Sequence, residues 1–137
     1  MIEFKLVNKI YHMGDETIKA VDNISFTIPD ETFTVILGPS GSGKSTTLNL
    51  LGGMDTATSG KILLDGEEIT GLNEKQLEEY RRRKIGFVFQ FYNLIPQLTA
   101  KENVAITAKM IDNALDVDEV IEGVGLKKRR NLFPSNL

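Results

Sequence analysis

The feature that limits this chain most is the octapeptide Gly38-Pro39-Ser40-Gly41-Ser42-Gly43-Lys44-Ser45, which matches G-x-x-x-x-G-K-[ST]. Its surroundings are those the motif demands. Before it, Phe33-Thr-Val-Ile-Leu37 is a short, nearly continuous apolar run rich in β-branched residues. That pattern predicts a strand buried on both faces of a parallel sheet. After it, the stretch from Lys44 to about Leu51 reads as a helix, stopped at Gly52-Gly53. The chemistry accounts for the residue types. Phosphate oxygens are held by successive backbone N–H groups turned into a small concavity, where Cβ atoms would obstruct. A helix opening at Lys44 offers its positive dipole end and free N–H groups to a β-phosphate. Lys44 adds a point charge for the β- and γ-phosphates, and the Ser45 hydroxyl can take a place on Mg2+, which prefers oxygen ligands. Several charge-assisted hydrogen bonds of about 1.5–3 kcal/mol each suffice to hold a nucleotide. The prediction is an α/β fold with a phosphate-binding loop.

The rest of the chain reads as alternating strands and helices. Ile2, Phe4 and Leu6 alternate with Glu3 and Lys5, as in a half-buried strand. Residues 8–20 are polar and read as irregular, with a turn at Gly14-Asp15; alternation resumes at Ile24, Phe26 and Ile28 and ends at Pro29-Asp30. Ile62-Leu63-Leu64 followed by Asp65-Gly66 predicts a strand entering a hairpin. A helix begins at Asn73, with Gln76 reaching back as partner and Leu72 and Leu77 as a hydrophobic staple. It runs through Arg81-Arg82-Arg83 and gives way to Ile85-Gly-Phe-Val-Phe89, a second buried strand closed by Gln90. Thr99-Ala-Lys-Glu102 is a capping box that opens another helix. The last helix places Val117, Val120, Ile121 and Val124 on one face, between an Asp116 cap and a Gly125 stop.

Composition removes several classes of function. The 137 residues contain no Cys, so a disulfide framework and a thiolate metal site are excluded; the single histidine, His12, excludes multi-histidine zinc sites. Sixteen Lys and Arg against 19 Asp and Glu leave a net charge of −3, which argues against a nucleic-acid binder that is basic all over. No apolar run approaches the roughly 18 residues that a membrane-spanning helix needs. Three weaker signals remain open. Gln90 can ligate Mg2+ at a strand end, where α/β sheets collect ligands, or be an ordinary solvated loop residue. Tyr11 can stack on an adenine or be a surface loop tyrosine. The runs Arg81-Arg82-Arg83-Lys84 and Lys127-Lys128-Arg129-Arg130 read as solvated faces, with phosphate or partner contact as the alternative.

Taken in order, these segments resemble the nucleotide-binding subunits of ABC transporters. The resemblance rests on residues 38–45 with Thr46, on Ile85-Gly-Phe-Val-Phe-Gln90 and on Phe91-Tyr92-Asn93-Leu94-Ile95-Pro96. It extends to Thr99-Ala-Lys-Glu-Asn-Val104, Val124-Gly-Leu126 and Phe133-Pro-Ser-Asn-Leu137, and so covers essentially the whole chain. In detail it is most similar to the subgroup paired with FtsX-type permeases, which includes lipoprotein-release, macrolide-export and antimicrobial-peptide-resistance transporters. The resemblance implies a P-loop NTPase fold of the ABC type, a three-layer α/β domain with a small antiparallel sheet from residues 1–30 and 61–69. It implies ATP and Mg2+ as ligands, Tyr11 as the adenine-stacking aromatic and residues 38–46 as the phosphate cradle. Ser45 and Gln90 become metal ligands, and Lys44 and Gln90 take part in catalysis. Residues 1–90 would form the nucleotide core and residues 91–137 the start of a helical subdomain that docks on the permease, with Tyr92 and Leu94 on the docking surface. The implied assembly is a homodimer of ATPase domains, peripheral on the cytoplasmic face of the cell membrane. The family's signature loop, Walker B aspartate, catalytic glutamate and switch histidine have no counterpart in residues 1–137. The expectation is therefore the N-terminal part of a cassette, truncated before the signature motif and not catalytic alone. Two readings stand beside it: an ABC-type ATPase acting on nucleic acid or ribosomes, and a non-catalytic nucleotide-binding fragment.

Overall fold

Phe4, Val7, Val21 and Ile62 are buried and build the sheet of the first half of the chain. The computed structural model describes residues 1–91 and 93–137; Tyr92, expected on a docking surface, lies outside the described residues. Two units form, Met1–Arg81 and Arg82–Leu137. In the first, β1 (Ile2–Met13) pairs antiparallel with β2 (Glu16–Ile28) through the two-residue turn Gly14-Asp15, where Gly14 takes φ 61°. On its other side β1 pairs with β3 (Ser59–Leu64), which pairs in turn with β4 (Glu67–Glu68), giving the order β2-β1-β3-β4. The predicted hairpin at Asp65-Gly66 is present, both residues at positive φ (52° and 82°), as a type I′ turn requires. Phe4 and Phe26 face each other across the ladder with rings stacked at 4.4 Å.

Residues 8–20 are a correction. They are not irregular but form the turn end of the β1–β2 hairpin. Two causes hide the strand period. Bulges between Phe4 and Ile10 shift the parity of the ladder, with Leu6 at φ 50°, and the one buried charge of the stretch is Lys9, neutralised by an ion pair to Asp55.

Helix α1 (Lys44–Leu51) follows the octapeptide as predicted and buries Thr47 and Leu50. Helix α2 (Glu74–Lys84) opens with the expected reciprocal bonds: the Asn73 N–H donates to Gln76 Oε1 at 2.9 Å and the Gln76 N–H to Asn73 Oδ1 at 3.0 Å. Within the first unit α2 secures the far end of α1. The Tyr80 hydroxyl donates to the Leu51 carbonyl at 2.7 Å and Arg81 Nη1 to the Gly53 carbonyl at 2.6 Å. The Leu51 carbonyl is one that a terminating helix leaves without an internal partner, and Arg81 places a cation just past the same end, where the helix dipole favours it.

The second unit holds α3 (Ala100–Ala108) and α4 (Val117–Gly123), followed by 3₁₀ turns at Lys127–Arg129 and Pro134–Asn136. The Thr99–Glu102 capping box is complete, and Asp116 caps α4 by accepting from the Asp118 and Glu119 N–H groups. The Ala100 and Lys101 N–H groups donate to the Leu132 and Arg130 carbonyls, both at 2.9 Å. Asn103 binds the backbone of Ile95, Leu98 and Thr99, fixing the loop that enters α3.

The two predicted buried strands are the other correction. Residues 33–37 and 85–89 join no sheet among the described residues; Phe33 is 95 % exposed, Leu37 86 % and Val88 98 %. A strand buried on both faces needs a ladder on each side, and the described ladders involve only β1–β4. Gln90 therefore closes no strand and sits exposed in a bend.

Candidate functional site

The loop of residues 38–43 is shaped by its glycines. Gly41 and Gly43 adopt φ 79° and 83°, values that an L side chain resists. A Cβ at Gly43 would overlap the Ala20 carbonyl oxygen, so this glycine also lets the loop rest on the backbone of β2. At Gly38 a Cβ would meet Ser42 Oγ at 2.5 Å. The Ser42 N–H returns to the Pro39 carbonyl at 3.3 Å and closes the turn that contains Ser40.

Gly43 is the N-cap of α1, and no side chain caps this helix end. Nor is there an acidic residue in its first turn. Thr47, one turn in, directs both its N–H and its hydroxyl to the Gly43 carbonyl, at 2.8 and 3.0 Å. An uncapped N-terminus preceded by left-handed glycines has donors aimed outward and a positive dipole end, the arrangement that receives an anion. Lys44 lies across the same loop, its ammonium donating to the Gly38 and Pro39 carbonyls at 2.9 and 2.6 Å and to Ser42 Oγ at 3.4 Å. A phosphate at the helix end would compete for these donors. Ser45 is exposed on the first turn, with an oxygen suited to Mg2+ beside the phosphates. These residues fit a nucleoside polyphosphate and its magnesium ion.

Tyr11 belongs to this unit too, on β1 rather than in a loop. Its hydroxyl donates to Asp55 Oδ2 at 2.6 Å, and Lys9 Nζ stands 4.8 Å from the ring centroid. The hydrogen bond to the Asp55 carboxylate, then burial, holds the Tyr11 hydroxyl above its ordinary pKa, with Thr46 acting in the opposite sense. Tyr11 is thus close to the first turn of α1. For Asp55, burial works to raise the pKa, but hydrogen bonds from Lys9, Tyr11 and the Thr56 N–H outweigh it and keep the carboxyl below its usual value.

Residues 38–46 and Tyr11 all belong to the first unit, whereas Gln90 belongs to the second. Sequence reasoning missed Asp55 and Lys9. The pair Lys9 and Tyr11, two residues apart, was the available signal, since alternate residues of a strand share a face. Asp55, one acid after a glycine stop, carries no signal of its own.

Comparison with known proteins places these observations. Residues 21–136 match the family model described as ABC transporter. An uncharacterized ABC transporter ATP-binding protein of Thermotoga maritima is 42% identical over 144 residues, covering 100% of this chain and 61% of the relative. A macrolide export ATP-binding/permease protein MacB of Mannheimia succiniciproducens is 40% identical over 142 residues, covering 100% of this chain and 22% of the relative. Among solved structures, the ATP-binding cassette MJ0796 of Methanocaldococcus jannaschii, a dimer in a post-hydrolysis state bound to ADP and Pi, superposes with a TM-score of 0.91 at 38% identity. That match covers 100% of this chain and 63% of the other. The chain thus spans about three-fifths of the Thermotoga relative and of the MJ0796 cassette.

Proposed function

The chain belongs to the ABC transporter family, and from that premise we propose that it is the ATP-binding part of a transporter subunit, coupling ATP binding and hydrolysis to export or extraction through a membrane permease. The observation that carries the reading is the uncapped start of α1, with left-handed glycines before it and the Lys44 ammonium folded over the loop. In this reading residues 38–46 cradle the phosphates and Tyr11 stacks on the adenine. Lys44 leaves the Gly38 and Pro39 carbonyls for the β- and γ-phosphates, where it stabilises charge that grows during transfer. Ser45 and Gln90 would hold the magnesium ion, which would supply positive charge to offset that of the phosphates. Residues 91–137 would begin the part facing an FtsX-type permease, with Leu94 exposed on that surface. The complete assembly would be a homodimer of cassettes on the cytoplasmic face of the membrane.

A nucleic-acid role finds no support. Several charges of the two basic runs are already engaged. Arg81 serves the Gly53 carbonyl, Arg83 pairs with Asp112 at 3.5 Å, Lys127 with Glu122 at 2.7 Å and Arg130 with Asp118 at 3.4 Å.

The test is calorimetric titration of MgATP into the chain and its Lys44→Ala variant. The expected result is at least about a tenfold loss of affinity, given that a hydrogen bond between charged groups contributes roughly 1.5–3 kcal/mol. Equal affinities in the two proteins would overturn the assignment.

A further inference from the structure

Three donors converge on one carboxylate outside the phosphate loop. Asp55 accepts from Lys9 Nζ at 2.5 Å, from the Tyr11 hydroxyl at 2.6 Å and from its own neighbour, the Thr56 N–H, at 2.7 Å. Lys9 also donates to the Thr56 carbonyl at 2.8 Å and lies over the Tyr11 ring. The Lys9 side chain is 11% exposed and that of Asp55 25%, so the pair is partly withdrawn from water. The segment that carries Asp55 hangs from the end of α1: the Met54 and Asp55 N–H groups return to the Asn49 carbonyl at 2.9 and 3.3 Å, and Arg81 holds Gly53. The carboxylate therefore joins strand β1, which carries the aromatic ring, to the helix whose other end carries the phosphate loop.

We infer that Asp55 is a positioning residue for base recognition, fixing the Tyr11 ring through the Tyr11 hydroxyl and Lys9 so that a purine stacks on it without Asp55 touching the nucleotide. The inference deepens the proposed function and rests on it. Its physical content is preorganisation. An unrestrained tyrosine turns about two side-chain torsions and must be ordered when a base stacks on it, and that ordering subtracts from affinity. Here the hydroxyl is held at the far end of the ring and the Lys9 ammonium stands over one face, so the base would stack on the opposite one. A cation on one side of the ring and an electron-poor purine on the other are compatible with the ring's negative faces. The base is thereby read by a platform at a fixed distance from α1, and the phosphates are read independently by residues 38–46.

That separation makes the idea testable with two ligands. MgATP carries both a base and phosphates, whereas magnesium tripolyphosphate carries phosphates alone. In Asp55→Asn, a change that keeps shape and removes charge, MgATP should bind about fivefold more weakly and tripolyphosphate should bind as before. Tyr11→Phe, which removes only the hydroxyl, should show the same selective loss. Adding Asp55→Asn to Tyr11→Ala should cause no further change in the ratio of the two affinities, because the ring that Asp55 acts through is gone. Circular dichroism of each variant reports whether it is folded, and the Tyr11→Phe result stands even if Asp55→Asn is not. Equal losses for both ligands would make Asp55 a structural residue and overturn the inference, as would no loss for either. Lys44→Ala separates the two levels. It should weaken both ligands, and if it weakens neither, the phosphate-site reading fails and the inference falls with it.

Discussion

Gly43 meets two demands at once, and the two can be separated by substitution. It holds φ 83°, and its missing Cβ makes room for the Ala20 carbonyl of β2. Gly41 holds a similar φ of 79° but has nothing within 4 Å of where a Cβ would stand. Gly41→Ala should therefore cost only the backbone term, about 1–2 kcal/mol. Gly43→Ala adds a collision with backbone that cannot move aside cheaply, so the loss should reach about 2–4 kcal/mol. Urea unfolding of the two variants checks the difference; equal losses would mean that the seat on β2 is not a constraint. At this scale the glycine-shaped loop before α1 was legible, because its residue types follow from a tight backbone that side chains would obstruct. The carboxylate behind Tyr11 was not, because nothing in the spacing of Asp55 links it to residues more than forty positions earlier. Contacts of that range belong to the fold, not to a sequence window.

Among the elements, helices were read more faithfully than strands, since a helix announces its own start. The reciprocal pair Asn73–Gln76, the Thr99–Glu102 box and the Asp116 cap each lie within a few residues of the helix they open, and all three form. The hairpin of β1 and β2 was legible only in part, because bulges and a buried ion pair break the period of two. What no local rule showed is how α1 is held at its far end, by Tyr80 and Arg81 of α2. Burial pushes the Tyr80 hydroxyl up to about 12 from its ordinary 10.0. The unfolded chain therefore gives up this proton first as the pH rises. The stability linked to Tyr80 is complete below pH 10.0 and is lost as the pH climbs through about 12. Tyr80→Phe has no such proton. At neutral pH it should be weaker by about 1 kcal/mol for the lost bond to Leu51. Between about pH 9 and pH 12 it should lose less stability than the parent chain, by a margin on the order of 2 kcal/mol. Urea midpoints of both proteins across that range measure the margin, and parallel curves would show that Tyr80 does not titrate with unfolding.

At the scale of the whole molecule the most consequential feature is apolar surface left in water. In the first unit Phe33, Val35 and Leu37 are exposed at alternate positions, and in the second Val88, Phe89 and Phe91 are exposed, with the Phe87 and Phe89 rings stacked at 5.2 Å. Both segments were predicted as buried strands, and their composition still favours that state. Burial on two faces, however, is a property of neighbouring strands rather than of five residues, so it could not be read from the run itself. An uncharged segment rich in β-branched and aromatic residues is, once extended with its N–H and C=O groups unpaired, a template for pairing with another chain. Exposed side chains at alternate positions would further give a paired edge a continuous apolar face, whose removal from water contributes about 25 cal/mol per Å². The chain should therefore self-associate as its concentration rises, with the net charge of −3 too small to oppose it strongly. Lysine is the natural blocker of such edges, since pairing would bury its charge. Val35→Lys and Val88→Lys each replace an exposed residue, so neither should lower the unfolding midpoint by more than about 0.5 kcal/mol. Each should shift the sedimentation profile toward monomer, and the double variant should shift it further. A parent chain that sediments as a monomer at every concentration, or lysine variants that associate as strongly as the parent, would show that these segments are not the adhesive surface.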